Sequence, residues 1–260
     1  MYRKNKSLGQ HFLKDQIVLQ KIIDFIGLPK DHKVFEIGPG AGALTHCLLE
    51  HGLKVNAIEL DDRWCGWLKK KYSEKNISII NQDALLYPWQ GLKSDDVIVG
   101  NLPYNIASEL MCLWVESQIN IKQAVLMMQK EVADRTMAQP GKKDFGRLSI
   151  ILQTYFTVEP LLNVSPESFD PPPKVQSSII RLTPLAKALC SNDVLAYLKV
   201  VTAAAFSQRR KKCKHGLSKF FSIDALNALN INPELRPEQL SVEQYIQLAK
   251  QLRNNQKLFK

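Results

Sequence analysis

Val34-Phe35-Glu36-Ile37-Gly38-Pro39-Gly40-Ala41-Gly42 is a short apolar run that stops in a glycine-rich turn; residues 43–51 then take up helical spacing, closed by Gly52. A buried strand that enters such a turn and opens a helix lets a ligand approach the backbone closely, because glycine accepts backbone angles that other residues avoid. The pattern continues on both sides. Residues 17–26 carry apolar residues at helical spacing, Ile17, Leu19, Ile22, Ile23 and Ile26, ended by Gly27. Residues 54–59 read as a second strand, with a helix following through Tyr72, and 77–80, 96–99 and 124–128 as the third, fourth and fifth. Strands alternating with helices predict an α/β fold with a parallel sheet covered on both faces. Beyond residue 150 the texture changes. Residues 150–156 and 178–182 read as strands around Asp170-Pro171-Pro172-Pro173, and from Asp193 every segment reads as helix, broken by Pro233 and Pro237. This predicts one domain over 1–184 and a small helical domain over 185–260.

The composition is that of a soluble globular chain, 45% hydrophobic and 23% charged over 260 residues. No apolar run reaches the ~18 residues that would span a membrane, and the basic start, Met1 to Lys6, leads into no apolar signal core. A cytoplasmic location with no membrane partner is expected. The five cysteines are odd in number and form no CxxC pair, which predicts reduced thiols and no zinc site. The net charge of +10 is uneven: residues 34–184 carry 15 Lys/Arg against 17 Asp/Glu, whereas 185–260 carry 13 against 5. A near-neutral middle with a basic tail suits a polyanionic partner such as nucleic acid.

Gly38, Gly40 and Gly42 form GxGxG, a variant of the dinucleotide GxGxxG turn that is found in methyltransferases holding S-adenosylmethionine. Glu59 stands 21 residues beyond Gly38 at the end of the second strand, where a carboxylate accepts hydrogen bonds from ribose hydroxyls. Asp83 follows the third strand, placed to accept from an adenine amino group. The fourth strand runs into Gly100-Asn101-Leu102-Pro103-Tyr104. An adenine amino nitrogen is a poor nucleophile because its lone pair is delocalised into the ring. Acceptors at both amino hydrogens favour the tetrahedral geometry that attack requires. The Asn101 side-chain oxygen and the Leu102 carbonyl are the expected acceptors, Pro103 fixes the turn, and Tyr104 offers a ring for the base to stack on. Phe169, before the proline loop, is expected to supply a second stacking face. In Arg209-Arg210-Lys211-Lys212-Cys213-Lys214-His215, six of seven side chains are Arg, Lys or His. Part of that run answers a helix C-terminus, and the rest is expected to contact RNA phosphates. His32, His46 and His51 have no ligand spacing, and no metal is expected.

Several of these motifs together, Ser7 to Leu13, Phe35 to Gly42, Gln82-Asp83-Ala84, Asn101 to Tyr104, Gln129 to Ala133, Phe169 to Val175 and Phe206 to Lys211, resemble those of the bacterial small-subunit ribosomal RNA adenine N6,N6-dimethyltransferases. The resemblance runs from about residue 7 to 250. It implies a Rossmann-like class I S-adenosylmethionine-dependent methyltransferase domain with a small C-terminal helical domain. It also implies dimethylation of two adjacent adenines in a hairpin loop near the 3′ end of 16S ribosomal RNA, within the small (30S) subunit or its precursor, and a part in subunit biogenesis. Carried over by motif, the cofactor contacts are His11, Leu13, Gly38, Glu59, Asp83 and Asn101, with residues 7–13 folded over the cofactor. Gln176 stands where the family has aspartate. A monomer is expected. Three other readings are compatible with parts of the pattern. One is the related antibiotic-resistance methyltransferase of the large subunit, and another is a non-catalytic RNA-binding factor on the same scaffold. The third is a DNA adenine methyltransferase, although no target-recognition domain is inserted among the strands.

Overall fold

The computed structural model describes residues 11–73, 75–103 and 106–257; residues 7–10 of the N-terminal motif and Tyr104 lie outside them. In chain order the elements are β1 (Phe12–Leu13), α1 (Gln16–Ile26), β2 (Lys33–Ile37), α2 (Ala43–Glu50), β3 (Lys54–Glu59), α3 (Asp62–Lys71), β4 (Ile77–Asn81), β5 (Val97–Asn101), α4 (Ala107–Ser117), β6 (Gln123–Gln129), α5 (Lys130–Met137), α6 (Arg147–Gln153), β7 (Phe156–Val164), β8 (Phe169–Asp170), β9 (Ser177–Pro184), α7 (Asn192–Ser207), α8 (Cys213–Leu217), α9 (Ile223–Ala228) and α10 (Val242–Lys257). The chain forms two compact units, one of residues up to 133 together with 157–184, the other of 134–156 together with 185–260. Residues 134–156 thus fold with the helices of the second unit, ahead of the boundary that the sequence places at 184/185.

The first unit is built on a seven-stranded sheet of order β4-β3-β2-β5-β6-β9-β7. Strands β4, β3, β2, β5 and β6 are parallel, and β9 is antiparallel to β6. Central strands of such a sheet are covered on both faces, so they are apolar without alternation. In β5, Val97, Ile98 and Val99 have no solvent exposure. Helix α1 is started by Asp15, whose carboxylate accepts from the N–H groups of Ile17 and Val18 at 3.0 and 3.3 Å, and it is closed by Gly27 at φ +58°. Its buried face, Leu19, Ile22, Ile23 and Ile26, joins the core that also holds Val34, Leu48 and Val99.

Gly100 lets β5 approach β2: a Cβ there would stand 2.7 Å from the Ile37 carbonyl oxygen. The obstacle is backbone within a parallel ladder, so it cannot swing aside. Gly100→Ala is therefore expected to cost about 1–3 kcal/mol of stability, and a thermal melt of the variant checks it; an unchanged midpoint would show that the ladder yields freely.

The expected strand over 150–156 is corrected. Arg147 to Gln153 form α6, and the strand, β7, begins only at Phe156. An apolar triplet such as Ile150-Ile151-Leu152 suits either a buried strand or a buried helix turn. What decides is the N-terminal end, where the Gly146 N–H donates to Ser149 Oγ at 3.1 Å and that buried hydroxyl donates to the Arg135 carbonyl at 2.6 Å. Strand β7 holds Pro160 and lies at the sheet edge, where a missing N–H is tolerated. In the second unit α7 packs chiefly on α10. Leu198 and Val201 of α7 and Tyr245 and Leu248 of α10 have no exposure, and the Phe206 ring stacks on Tyr245 at 6.0 Å.

Candidate active site

Strand order reverses between β2 and β5, and in open parallel sheets the crevice at that point, beyond the strands' C-terminal ends, is where ligands bind. A cavity of about 250 Å³ lies there. Gly38 follows β2, Glu59 ends β3, Asp83 lies two residues past β4, and Asn101 ends β5; all four line the cavity. So do His11, Leu13, Gly40, Leu102 and Pro103. Gly38, Gly40 and Gly42 all have positive φ, and a Cβ on Gly40 would reach 2.8 Å from the Phe12 ring. The turn is therefore glycine both for its backbone angle and because an aromatic ring closes over it.

The cavity holds two buried carboxylates. Glu59 accepts from the Gly40 N–H at 3.0 Å on one oxygen and from the Asp61 N–H at 2.9 Å on the other. Burial pushes its carboxyl above the usual range, and the two N–H groups oppose that rise. Each oxygen keeps capacity to accept again. The Asn81 side chain donates to the Glu59 carbonyl at 3.1 Å and the Gln82 N–H donates to it at 3.0 Å, which ties the end of β3 to the loop that presents Asp83. Asp83 in turn caps the short turn after it by accepting from the Leu85 N–H at 2.9 Å.

Glu36 is the second carboxylate, and sequence reasoning assigned it no role. It is 2% exposed, lines the cavity, and accepts from Thr45 Oγ1 at 2.6 Å. Burial raises its pKa to about 8, with the Glu59 charge adding to the rise and Thr45 opposing it. The available signal was a single charge inside an apolar strand, which is costly unless the charge has a partner. Among the described residues no cationic side chain pairs with Glu36 or Glu59.

One wall is a strap. Strand β1 pairs antiparallel with β8, Phe12 opposite Asp170 and Leu13 opposite Phe169. The Lys14 N–H donates to the Ser168 carbonyl at 2.9 Å, and Ser168 Oγ donates to Asp15 at 2.9 Å. His11 Nδ1 lies 2.7 Å from the Pro171 carbonyl oxygen. The Phe12 ring meets Trp64 edge-on at 5.3 Å. Asn101 joins the strap to the opposite wall: its Nδ2 donates to the His11 carbonyl at 3.1 Å, which turns Oδ1 away from that carbonyl. The Leu102 N–H is taken by the Met127 carbonyl at 2.9 Å. Phe169 is corrected as a stacking face. Its ring has no exposure and belongs to the core under the strap, because its partner Leu13 draws it inward.

In the second unit the basic run divides. Arg209 donates to the carbonyls of Lys143 and Phe145, and its guanidinium lies 6.0 Å from the Phe206 ring. Lys212 and Lys214 share Glu234 and hold its carboxyl down to about 2. Arg210 and Lys211 are exposed, and neither side chain has an ion-pair partner among the described residues. Among those residues no cluster of His, Cys, Asp or Glu could hold a metal, and no helix is long and apolar enough to cross a membrane.

The strand order, the glycine turn at the switch point and the carboxylate ending the next strand define a Rossmann-like, S-adenosylmethionine-dependent methyltransferase fold. The chain belongs to the ribosomal RNA adenine dimethylase family, whose model matches residues 1–254. It is 41% identical, over 96% of its length and 97% of the relative's, to ribosomal RNA small subunit methyltransferase A of Wigglesworthia glossinidia brevipalpis. Among solved structures it resembles a dimethyladenosine transferase from Plasmodium falciparum, with TM-score 0.79, 28% identity and coverage of 92% and 96% of the two chains. It also resembles the 23S rRNA methyltransferase ErmE, with TM-score 0.70, 26% identity and coverage of 93% and 99%. The chain is thus an enzyme that methylates adenine in ribosomal RNA.

Proposed function

We propose that the cavity holds S-adenosylmethionine and that the enzyme dimethylates N6 of two adjacent adenines in a hairpin loop near the 3′ end of 16S ribosomal RNA. Its substrate is the small (30S) subunit or a precursor, its role belongs to subunit biogenesis, and it works as a cytoplasmic monomer. The observation that carries this reading is the convergence of Gly38, Glu59, Asp83 and Asn101 on one cavity in a chain of this family. Two buried carboxylates without a cationic partner also fit a ligand that brings its own positive charge.

In this reading Glu59 takes the ribose hydroxyls and Asp83 the adenine amino group of the donor, while His11, Leu13 and the Gly38–Gly40 turn enclose it. When bound, S-adenosylmethionine supplies an electrophilic methyl group on a sulfonium. The protein's part is to shape the acceptor. Asn101 Oδ1 and the Leu102 carbonyl accept hydrogen bonds from the N–H groups of the target amine and favour a lone pair directed at the methyl group, and the amine's proton leaves to water after transfer. Pro103 holds the carbonyl in place, and stacking by Tyr104 rests on the Asn-Leu-Pro-Tyr motif. Residues 1–184 carry the chemistry and 185–260 contact RNA phosphates, with Arg210 and Lys211 the open cations.

Labelled methyl transfer to isolated small subunits that lack the modification, followed by mapping, tests the assignment. Label on two neighbouring adenines near the 3′ end is expected; incorporation into large subunits alone would overturn it. Glu59→Gln is expected to weaken S-adenosylmethionine binding at least about tenfold, since hydrogen bonds to a charged group contribute about 1.5–3 kcal/mol each. Calorimetric titration of the variant checks this, and an unchanged dissociation constant would remove Glu59 from the donor site.

A further inference from the structure

The loop between α5 and α6, in the second unit, has no role in the reading above. Its backbone is fixed from several directions. The Gly141 N–H donates to the Glu238 carbonyl at 2.7 Å, the Phe145 N–H donates to the Lys142 carbonyl at 3.1 Å, and the Phe145 ring is fully buried. Arg209 completes the fixation by donating to the carbonyls of Lys143 and Phe145. A planar guanidinium can serve two neighbouring carbonyls at once, and a lysine ammonium has no such fork.

The consequence is electrostatic. Lys142 and Lys143 are exposed and have no ion-pair partner among the described residues. They sit on a loop clamped by the residue that immediately precedes Arg210 and Lys211. Four open cations are thereby brought to one region, with Asp144 the exposed acid in the loop. Lys212 and Lys214 differ in that both are paired with Glu234, whose charge offsets one of the two. A rigid platform of unpaired lysines suits a phosphate backbone, whose bound counterions are released on contact.

We propose that Lys142 and Lys143 are a second phosphate-binding segment for the RNA substrate, and that Arg209 is a positioning residue that docks this loop beside Arg210 and Lys211. The proposal rests on the reading of the helical unit as RNA-binding. It redistributes the contacts of the basic run: Arg209 acts through protein carbonyls, and residues distant in sequence take up the phosphates.

The test is the salt dependence of binding between the full-length protein and a hairpin RNA with two adjacent adenines in its loop. The variants are Lys142→Ala/Lys143→Ala, Arg210→Ala/Lys211→Ala and Arg209→Gln, each with a thermal melt and a donor-binding titration to establish an intact fold. Loss of two phosphate contacts lowers the slope of log affinity against log salt by about 1.4–1.8, and that decrease is expected for the lysine pair. Arg209→Gln is expected to lower the slope similarly, and combining it with the lysine pair to add little further, as for residues acting as one unit. A merely structural Arg209 would lower the melting temperature and leave the slope alone, which overturns its positioning role. If Arg210→Ala/Lys211→Ala flattens the slope and the lysine pair does not, the loop proposal fails and the RNA-binding reading stands. If neither pair changes it, both fail.

Discussion

Replacing Asn101 with alanine is expected to lower the rate of methyl transfer by at least about 10²–10³-fold, the usual effect of deleting one preorganised polar group at a reacting centre. Binding of the RNA is expected to persist, since the residues proposed to contact its phosphates are other ones. The side chain has two ends with different tasks: Nδ2 holds the His11 carbonyl of the strap, and Oδ1 faces away from it. Asn101→Asp separates them. A carboxylate can still accept from an amine but cannot donate to His11, and its charge faces the carbonyl. Donor affinity is therefore expected to fall in the aspartate variant even where an acceptor oxygen remains. Single-turnover transfer, donor titration and RNA binding measured side by side check these outcomes. Near-normal turnover in Asn101→Ala would refute the role given to this residue.

Glu36→Gln is expected to make the donor-free protein more stable, increasingly so as pH rises. The folded-state pKa of Glu36 is raised from 4.5 to about 8. Between these values the folded chain binds a proton that the unfolded chain has released, so stability falls as pH climbs through the window and levels off above it. At pH 7 the difference is on the order of 3 kcal/mol, from 1.36 kcal/mol per pH unit. Glutamine keeps an oxygen for the Thr45 hydroxyl and carries no charge, so it escapes the loss. Thermal melts at pH 5 and pH 8 check the sign: the gap between variant and parent is expected to widen at the higher pH. Affinity for a cationic donor is expected to move the other way and weaken in the variant. A buried group that lowers stability without ligand is what a site that favours function over stability contains. A variant no more stable than the parent at pH 8 would show that something else compensates the charge.

The parallel core of the fold was readable because strands covered on both faces leave short, uninterrupted apolar runs, and because Gly38, Gly40 and Gly42 mark where the first of them turns. The cavity residues were readable for a related reason. Parallel strands share one direction, so Glu59, Asp83 and Asn101, each at or just past a strand's C-terminal end, must converge. What escaped has no local period or no local partner. The β1–β8 pair is two residues long on each side, too short to show alternation. Strand β7 is an edge strand with mixed burial and a proline. Helix α6 holds an apolar triplet, Ile150-Ile151-Leu152, that does not reveal its geometry. Phe169 reads as an aromatic beside a rigid loop, and only its pairing with Leu13 puts the ring inside. Arg209 reads as one cation in a run, because the carbonyls it serves are 64 and 66 residues away.

Strand β1 is completed by β8, so a ring at position 12 is fixed through contacts made by residues 168–171. During synthesis the glycine turn and the carboxylates at the ends of β2 and β3 emerge long before those residues. A nascent chain paused before them would hold much of the parallel sheet with one side of its crevice open to water. Capacity to capture the methyl donor should therefore arise late in translation, when the ribosome has released the stretch that pairs with residues 12 and 13.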